Sequence, residues 1–269
     1  MELSISNIAW SADDDSEIYE YLSRNGYTGL EIAPTRVFPN APYECSHDAK
    51  RFADMLLEKY NLRISSMQSI WYGKSESLFA SESDRQILVE YTKKAIDFAH
   101  TIGCGNLVFG CPKNRIIPDT MSLDKVSPIA YEFFSQIGDY ATDNGTCIAI
   151  EANPPIYNTN FINTTTQALQ LCKTLKNPGI KVNIDIGTMI YYSENIQLVM
   201  DNIELVNHVH ISEPHLAYIE KRPIHYELIR MLADMNYEKY VSVEMSNIND
   251  IERVKGVACY INELSKENE

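Results

Sequence analysis

Short apolar stretches alternate with longer amphipathic stretches from one end of the chain to the other. The short stretches are rich in β-branched residues, which is typical of buried strands. The longer ones repeat apolar residues every three or four positions, which is typical of helices. The pattern predicts strands over residues 3–10, 29–34, 63–71, 106–112, 147–154, 180–187, 206–214 and 240–246. It predicts helices over 13–26, 46–61, 81–103, 122–145, 163–177, a weaker segment near 193–203, 225–237 and 250–267.

The number of strand–helix units indicates the fold class. Eight βα units within 269 residues match a (β/α)8 barrel, which typically has about 250 residues. A doubly wound parallel sheet is the alternative, but such a sheet more often has an early glycine-rich phosphate turn, and the sequence has none. No linker or low-complexity segment interrupts the units. We therefore predict an α/β fold, with a single TIM barrel domain over residues 1–269.

Composition and charge narrow the classes of partner. The hydrophobic fraction of 45% and the charged fraction of 22% are ordinary for a globular protein. The net charge of −14 argues against nucleic acid and anionic membranes as partners. The six scattered cysteines form no CxxC pair and indicate a reducing compartment. Without a visible signal peptide or a long apolar stretch, a cytoplasmic location is predicted.

Ligand-type side chains occur where four consecutive predicted strands end. They are Glu151 in IAIEANP, Asp185 in VNIDIG, His210 in HVHIS and Glu244 in VSVEMS. In a barrel the carboxyl ends of the strands meet at one face, and reactive residues lie there. The four side chains are therefore expected to converge.

A cation would resolve the electrostatic problem that this convergence creates. Unpaired buried carboxylates are strongly disfavoured unless they are protonated or bound to a cation. Three carboxylates and one imidazole suit Mn²⁺, Mg²⁺ or Co²⁺ better than a structural zinc ion. We predict one divalent ion on Glu151, Asp185, His210 and Glu244, with Mn²⁺ favoured and Zn²⁺ also possible. His208 shares a strand face with His210 and is predicted to be buried structure, or to orient a metal ligand.

The same motifs resemble a known superfamily along the whole chain. GYTGLEI, IAIEANP, NIDIGT, HVHISEP and VSVEM are similar to the sugar isomerases and epimerases with the xylose isomerase-like barrel. That superfamily also includes apurinic-site endonucleases and several dehydratases. The resemblance implies a divalent metal on the four residues above. In its ketose 3-epimerase branch, the glutamates matching Glu151 and Glu244 are also the catalytic residues, exchanging protons with opposite faces of the substrate.

Several substrate-side positions depart from the epimerase pattern. Thr188 stands where many relatives have histidine, and Tyr157 stands where the epimerases carry an acid. The segment EPHLAY lacks an arginine that the epimerases have beyond the seventh strand. The resemblance therefore does not fix the substrate. Gln68, Gly110 and Thr188 occupy regions where the endonucleases need zinc-binding histidines, so DNA repair is disfavoured.

The remaining βα loops supply candidates for substrate binding. The first choices are Gln68, Trp71, Lys113 and His215. An aromatic ring there can stack on a sugar or pack within its loop. Basic residues can pair with phosphate or with surface acids, and Arg36, Arg115, Lys221 and Arg222 are further candidates of that kind. Glu31 is expected to orient pocket groups or satisfy backbone donors and not to bind metal.

Three functions remain open from the sequence. The first is a metal-dependent isomerase or epimerase of a small sugar or sugar phosphate, in which the metal stabilises an enediolate and glutamates transfer the proton. The second is a dehydratase or lyase that uses the same site on a polyol ketone. The third is a barrel that binds metal or sugar without catalysis. A homodimer or homotetramer is possible, since relatives often form them.

Overall fold

Eight parallel strands form a closed barrel in a computed structural model that describes residues 1–267. Each strand pairs with the next along the chain, and the eighth pairs with the first. The predicted TIM barrel is therefore confirmed. The last two residues of the predicted domain, 268 and 269, lie outside the described residues. The strands are β1 (Glu2–Ser6), β2 (Tyr27–Ile32), β3 (Arg63–Met67), β4 (Leu107–Phe109), β5 (Ile148–Glu151), β6 (Ile180–Asp185), β7 (Val206–Ile211) and β8 (Tyr240–Val243).

Helices follow the strands and cover the outside of the barrel. Among the described residues, none of them is both long and apolar enough to cross a membrane. The helices are α1 (Asp15–Arg24), α2 (Pro34–Val37), α3 (Ser46–Tyr60), α4 (Glu82–Ile102), α5 (Leu123–Asp143), α6 (Thr165–Leu175), α7 (Ile186–Tyr192), α8 (Gln197–Met200), α9 (Pro223–Asp234) and α10 (Ile251–Lys266).

Helix boundaries follow local capping chemistry. The hydroxyl of Ser81 accepts a hydrogen bond from the Asp84 backbone N–H at the start of α4, and Gly103 ends that helix at φ 69°. At the start of α6, Thr164 and Gln167 form a reciprocal capping box. These side chains satisfy backbone groups that have no partner within the helix.

The weak helix predicted near 193–203 is present as the short α8, but the prediction missed a helix before it. The chain forms α7 immediately after β6 and then α8. The carboxylate of Asp185 accepts a hydrogen bond from the Thr188 backbone N–H and thereby caps α7. Ser193 ends the helix in the left-handed region at φ 52°. The predicted strand 180–187 therefore extends two residues too far, because a site residue is also the helix cap.

Strand register brings the carboxyl ends of β5 to β8 to one end of the barrel, with the stagger that tilted strands require. Glu151 pairs with Asn183, and Asp185 pairs with His210. Glu244 directly follows β8, and its backbone N–H donates to the Ile211 carbonyl at 3.0 Å. Neighbouring strands thus present these side chains at the carboxyl-terminal end of the barrel, where reactive residues of such barrels lie.

Candidate metal centre

The four predicted ligands meet in one buried cluster. Glu151, Asp185, His210 and Glu244 each offer one ligand atom, and these atoms all lie within 4.8 Å of one another. His210 Nδ1 lies 3.1 Å from Glu151 Oε1 and 3.2 Å from Glu244 Oε2. All four residues are less than a tenth exposed. The structure therefore brings together the complete set that the sequence predicts.

Burial makes this cluster electrostatically unfavourable without a cation. Loss of solvent raises the pKa of Glu244 to about 7 and that of Asp185 to about 6. Burial is the largest influence on the pKa of Glu151 and would raise it, but the hydrogen bond and charge of His210, together with Asn153 and Arg115, lower that pKa overall. Two of the three carboxyls thus resist ionisation where they stand. A divalent ion would neutralise them, and oxygen-rich ligands with one imidazole suit Mn²⁺, Mg²⁺ or Co²⁺.

Glu31 fixes the orientation of the His210 ring. Its Oε2 lies 2.9 Å from His210 Nε2 and 3.2 Å from His208 Nε2, and all three side chains are fully buried. With a proton on Nε2 donated to Glu31, His210 directs its Nδ1 toward Glu151 and Glu244. That tautomer is the one that metal binding through Nδ1 needs. His208 is buried as predicted, and its pKa is lowered because burial disfavours the charged ring.

Amide and guanidinium groups hold Glu151 in place. Asn183 Nδ2 donates to its Oε1 and Asn153 Nδ2 donates to its Oε2, both at 2.8 Å. Arg115, which is completely buried, donates from Nη2 to the Glu151 backbone carbonyl at 3.0 Å and to Asn153 Oδ1 at 2.8 Å. The carboxylate is therefore fixed by donors before any ligand arrives.

Asp185 is held by groups from α7 and from the end of β7. The Thr188 backbone N–H donates to its Oδ1 at 2.6 Å, and the Ser212 hydroxyl donates to its Oδ2. Thr188 Oγ1 in turn donates to the Ala152 carbonyl at 2.8 Å. The threonine that replaces the relatives' histidine thus has a structural role in this chain, tying the β6 loop to the β5 loop.

A small cavity opens onto the cluster. Its volume is about 140 Å³, and Glu151, Asp185 and Glu244 line it together with Gln68 and Tyr157. Gln68 Nε2 donates to Ser6 Oγ at 2.7 Å, which fixes the amide at the cavity wall. Tyr157 stays in its neutral phenol form because burial, followed by the charge of Asp185, raises its pKa. Both side chains can therefore offer hydrogen bonds to a hydroxylated ligand.

The other predicted substrate contacts lie elsewhere. Trp71 is 2% exposed, and its indole N–H donates to Thr92 Oγ1 at 2.8 Å within the core. Lys113 is exposed and does not line the cavity. His215 is exposed too, although its ring centroid lies 6.3 Å from that of Tyr157 at the rim. Of the four predicted residues, the structure brings only Gln68 to the cavity wall.

The remaining basic candidates already have partners. Arg222 forms a two-pronged ion pair with Glu213 at 2.6 and 2.8 Å. The Lys221 ammonium lies 5.1 Å from the centroid of the Tyr260 ring. Neither of these residues lines the small cavity. Their positions do not indicate a phosphate site at the cluster.

Several groups that position the predicted ligands were not predicted from the sequence. Several of them lie two residues from a predicted ligand, and side chains two residues apart share one face of a strand. This spacing would have identified them. Asn183 lies two residues before Asp185, Asn153 lies two after Glu151, and Ser212 lies two after His210. Arg115 carries no such signal, since it reaches the site from a loop.

The raised pKa values predict that metal stabilises this protein more at alkaline than at acid pH. Glu244 and Asp185 have pKa values of about 7 and 6, so below pH 6 a metal ion must displace protons from both. Affinity then falls by about tenfold per pH unit for each proton displaced. We expect Mn²⁺ to raise Tm by several degrees more at pH 8 than at pH 5.5, as measured by calorimetry. An equal or larger shift at pH 5.5 would contradict this ligand set.

Gly110 provides a steric test of the same site. A Cβ added there would lie 2.7 Å from Glu151 Oε2, so a methyl group must displace the carboxylate. We expect Gly110→Ala to weaken Mn²⁺ binding by about tenfold or more in calorimetric titration, with little loss of metal-free stability. Gly105→Ala is the matched control, because a Cβ at Gly105 has no neighbour within 4 Å. Equal affinities for the two variants would place the metal elsewhere.

Comparisons with known proteins agree with this architecture. A family model described as "Xylose isomerase-like TIM barrel" matches residues 19–262. The chain therefore belongs to the xylose isomerase-like TIM barrel family. It is also 22% identical to the ketose 3-epimerase of Arthrobacter globiformis, over 96% of this chain and 89% of that protein.

Solved structures of sugar epimerases share the fold. The D-psicose 3-epimerase of Clostridium cellulolyticum H10, in a structure with D-tagatose, superposes with a TM-score of 0.80 at 15% identity, covering 99% of each chain. A 3-keto-D-glucoside 4-epimerase from E. coli has a TM-score of 0.79 at 17% identity, covering 98% of this chain and 99% of that one. These similarities establish the barrel fold.

Proposed function

We propose that this chain is a divalent-metal-dependent epimerase of a keto sugar, acting at the carbon next to the carbonyl. The observation that carries the proposal is the placement of Glu151 and Glu244. They lie at the ends of different strands, contact the same imidazole nitrogen and line the same small cavity. Two carboxylates with access to one bound open-chain ketose can serve the two faces of the carbon next to its carbonyl, which epimerisation requires. The similarity to a ketose 3-epimerase supports the choice of substrate class.

The metal would supply stabilisation of the negative charge that develops on the substrate oxygens. Glu151, Asp185, His210 and Glu244 would hold it, with Mn²⁺ as the favoured ion. Glu31 maintains the His210 tautomer that leaves Nδ1 available.

Proton transfer is assigned to the two glutamates. One removes the proton from the carbon next to the carbonyl, and the other delivers a proton to the opposite face. Asn153 and Asn183 hold the Glu151 carboxylate against the site during this exchange. Gln68 and Tyr157 are proposed to bind substrate hydroxyls, since both line the cavity.

Product analysis tests the proposal. Protein loaded with Mn²⁺ is incubated with D-fructose, D-tagatose and their 3-epimers, and the products are identified by NMR. We expect the C3 epimer to form and to disappear when the metal is removed with EDTA. Formation of an aldose would show that the site catalyses isomerisation and not epimerisation. A dehydrated product would show that it catalyses dehydration. Turnover that persists without metal would contradict the proposed mechanism.

A further inference from the structure

A second and larger cavity lies beside the metal centre. Its volume is about 900 Å³, compared with about 140 Å³ for the cavity at the cluster. Ser69, just after β3, lines both cavities, so the two are adjacent at this residue. The larger cavity is built by loops that follow β1, β2, β3 and β8. Its walls include Trp10, Ala33, Arg36, Tyr72, Lys74 and Tyr91.

We propose that the larger cavity is a subsite for a second, uncharged sugar unit. The substrate would then be a ketose that carries a glycosyl group, and neither a free ketose nor a sugar phosphate would be preferred. This inference rests on the proposed function, because it places the reacting ketose at Glu151 and Glu244.

Size is the first argument. The small cavity, at about 140 Å³, leaves room for little more than one monosaccharide unit. The adjoining cavity is several times larger and opens from the same wall residue. Ligand pockets of ~300–1,000 Å³ are typical of small-molecule sites. A substrate of one ring would leave most of this space unused.

Charge is the second argument, and it favours an uncharged ligand. Arg36 forms a two-pronged ion pair with Asp15 at 2.7 and 3.2 Å, and Lys74 lies 3.3 Å from Glu76. Each cation on the wall is therefore already neutralised. Among the described residues that line the small cavity, none is basic. A phosphate group needs uncompensated cations or backbone donors aimed at it, whereas sugar hydroxyls need only hydrogen-bonding groups.

An exposed aromatic ring is the third argument. The Tyr72 side chain lies on the cavity wall and is 70% exposed. Cations already lie over the neighbouring rings, with the Arg36 guanidinium 5.7 Å from the Trp10 centroid and the Lys74 ammonium 4.8 Å from that of Tyr91. Tyr72 therefore offers an apolar ring and a polar hydroxyl to an incoming ligand. Sugar rings present C–H faces that pack on such a surface.

Three ketoses that differ only at O6 test the proposal. D-Fructose carries a hydrogen there, fructose 6-phosphate a phosphate and isomaltulose a glucosyl group. The rate of solvent deuterium incorporation at C3 is measured for each with Mn²⁺-loaded protein. Maltulose, with the glucosyl group at O4, provides a second direction of attachment. We expect kcat/KM for at least one disaccharide to exceed that for fructose by tenfold or more, with fructose 6-phosphate the poorest. A preference for the phosphate, or no gain with either disaccharide, would overturn the inference.

A binding measurement separates this inference from the proposed reaction. Isomaltitol and sorbitol have no carbonyl group, so calorimetric titration of metal-loaded protein reports the subsite without turnover. We expect isomaltitol to bind at least tenfold more tightly than sorbitol. Tyr72→Ala should remove most of that preference, whereas Tyr226→Ala, an exposed tyrosine on α9, should keep it. If no ketose exchanges deuterium but this preference is present, the proposed reaction fails and the subsite stands. Equal affinities overturn the subsite.

Discussion

Replacing Glu244 with glutamine is expected to lower the rate of C3 epimerisation by about 1,000-fold, within the range of ~10²–10⁴ for loss of a general acid or base. Glutamine keeps the shape and one oxygen, but it cannot exchange a proton. Glu151 remains in place, held by Asn153 and Asn183. Deuterium from the solvent should therefore still enter the one C3 epimer whose proton faces Glu151. The measurement is deuterium incorporation into each epimer, at saturating Mn²⁺ with metal content determined.

Two further variants complete this test. Glu151→Gln should show the opposite pattern, with exchange confined to the other epimer. Glu238→Gln is the matched control, because this exposed glutamate precedes β8 at the opposite end of the strand from Glu244. Epimerisation by Glu244→Gln within tenfold of the wild-type rate would show that Glu244 is not one of the two proton-transfer groups.

Glu31→Gln is expected to weaken Mn²⁺ binding by about 10–100-fold, although Glu31 is not a proposed ligand. The carboxylate contacts both His208 and His210. A neutral amide lacks the negative charge of Glu31, which holds the proton on His210 Nε2 and thereby directs Nδ1 to the metal. Its N–H group can also face the ring and favour the wrong tautomer. Mn²⁺ affinity is measured by titration, with free Mn²⁺ detected by electron paramagnetic resonance.

The matched control for Glu31→Gln is Glu213→Gln. Glu213 is also a buried acid near the carboxyl end of β7, but it pairs with Arg222 instead of a metal ligand. We expect Mn²⁺ affinity close to wild type for that variant. If Glu31→Gln lowers the Tm of metal-free protein and leaves Mn²⁺ affinity unchanged, Glu31 has a structural role only.

The barrel can be predicted from the sequence because its strands are buried on both faces, whereas its helices are buried on one face only. Near-continuous apolar runs and helical periodicity therefore alternate clearly. Boundaries are harder where one residue has two functions. Asp185 ends β6, belongs to the candidate metal cluster and caps α7, so the strand pattern gives no sign of the helix that begins after it.

The candidate metal cluster can also be predicted from the sequence, because parallel strands bring their carboxyl ends together. Substrate contacts are harder to predict from the sequence, because loop residues follow no helical or strand periodicity. Trp71 illustrates the difference. The strand predicted to reach residue 71 ends at Met67, and Ser69 turns the chain at φ 54°. The indole then packs against Phe109 in the core, with ring centroids 4.8 Å apart. Only the conformation of this turn decides which way the ring points.

Solvent deuterium at C3 of a ketohexose tests the central claim most directly. Wild-type protein is compared with and without Mn²⁺ in D₂O, and the labelled position is read by NMR. The account predicts deuterium at C3 of both epimers, dependent on Mn²⁺ and lost with EDTA. Protein shown to hold Mn²⁺ that leaves C3 of fructose, tagatose and the glucosyl ketoses unlabelled would contradict proton transfer by Glu151 and Glu244.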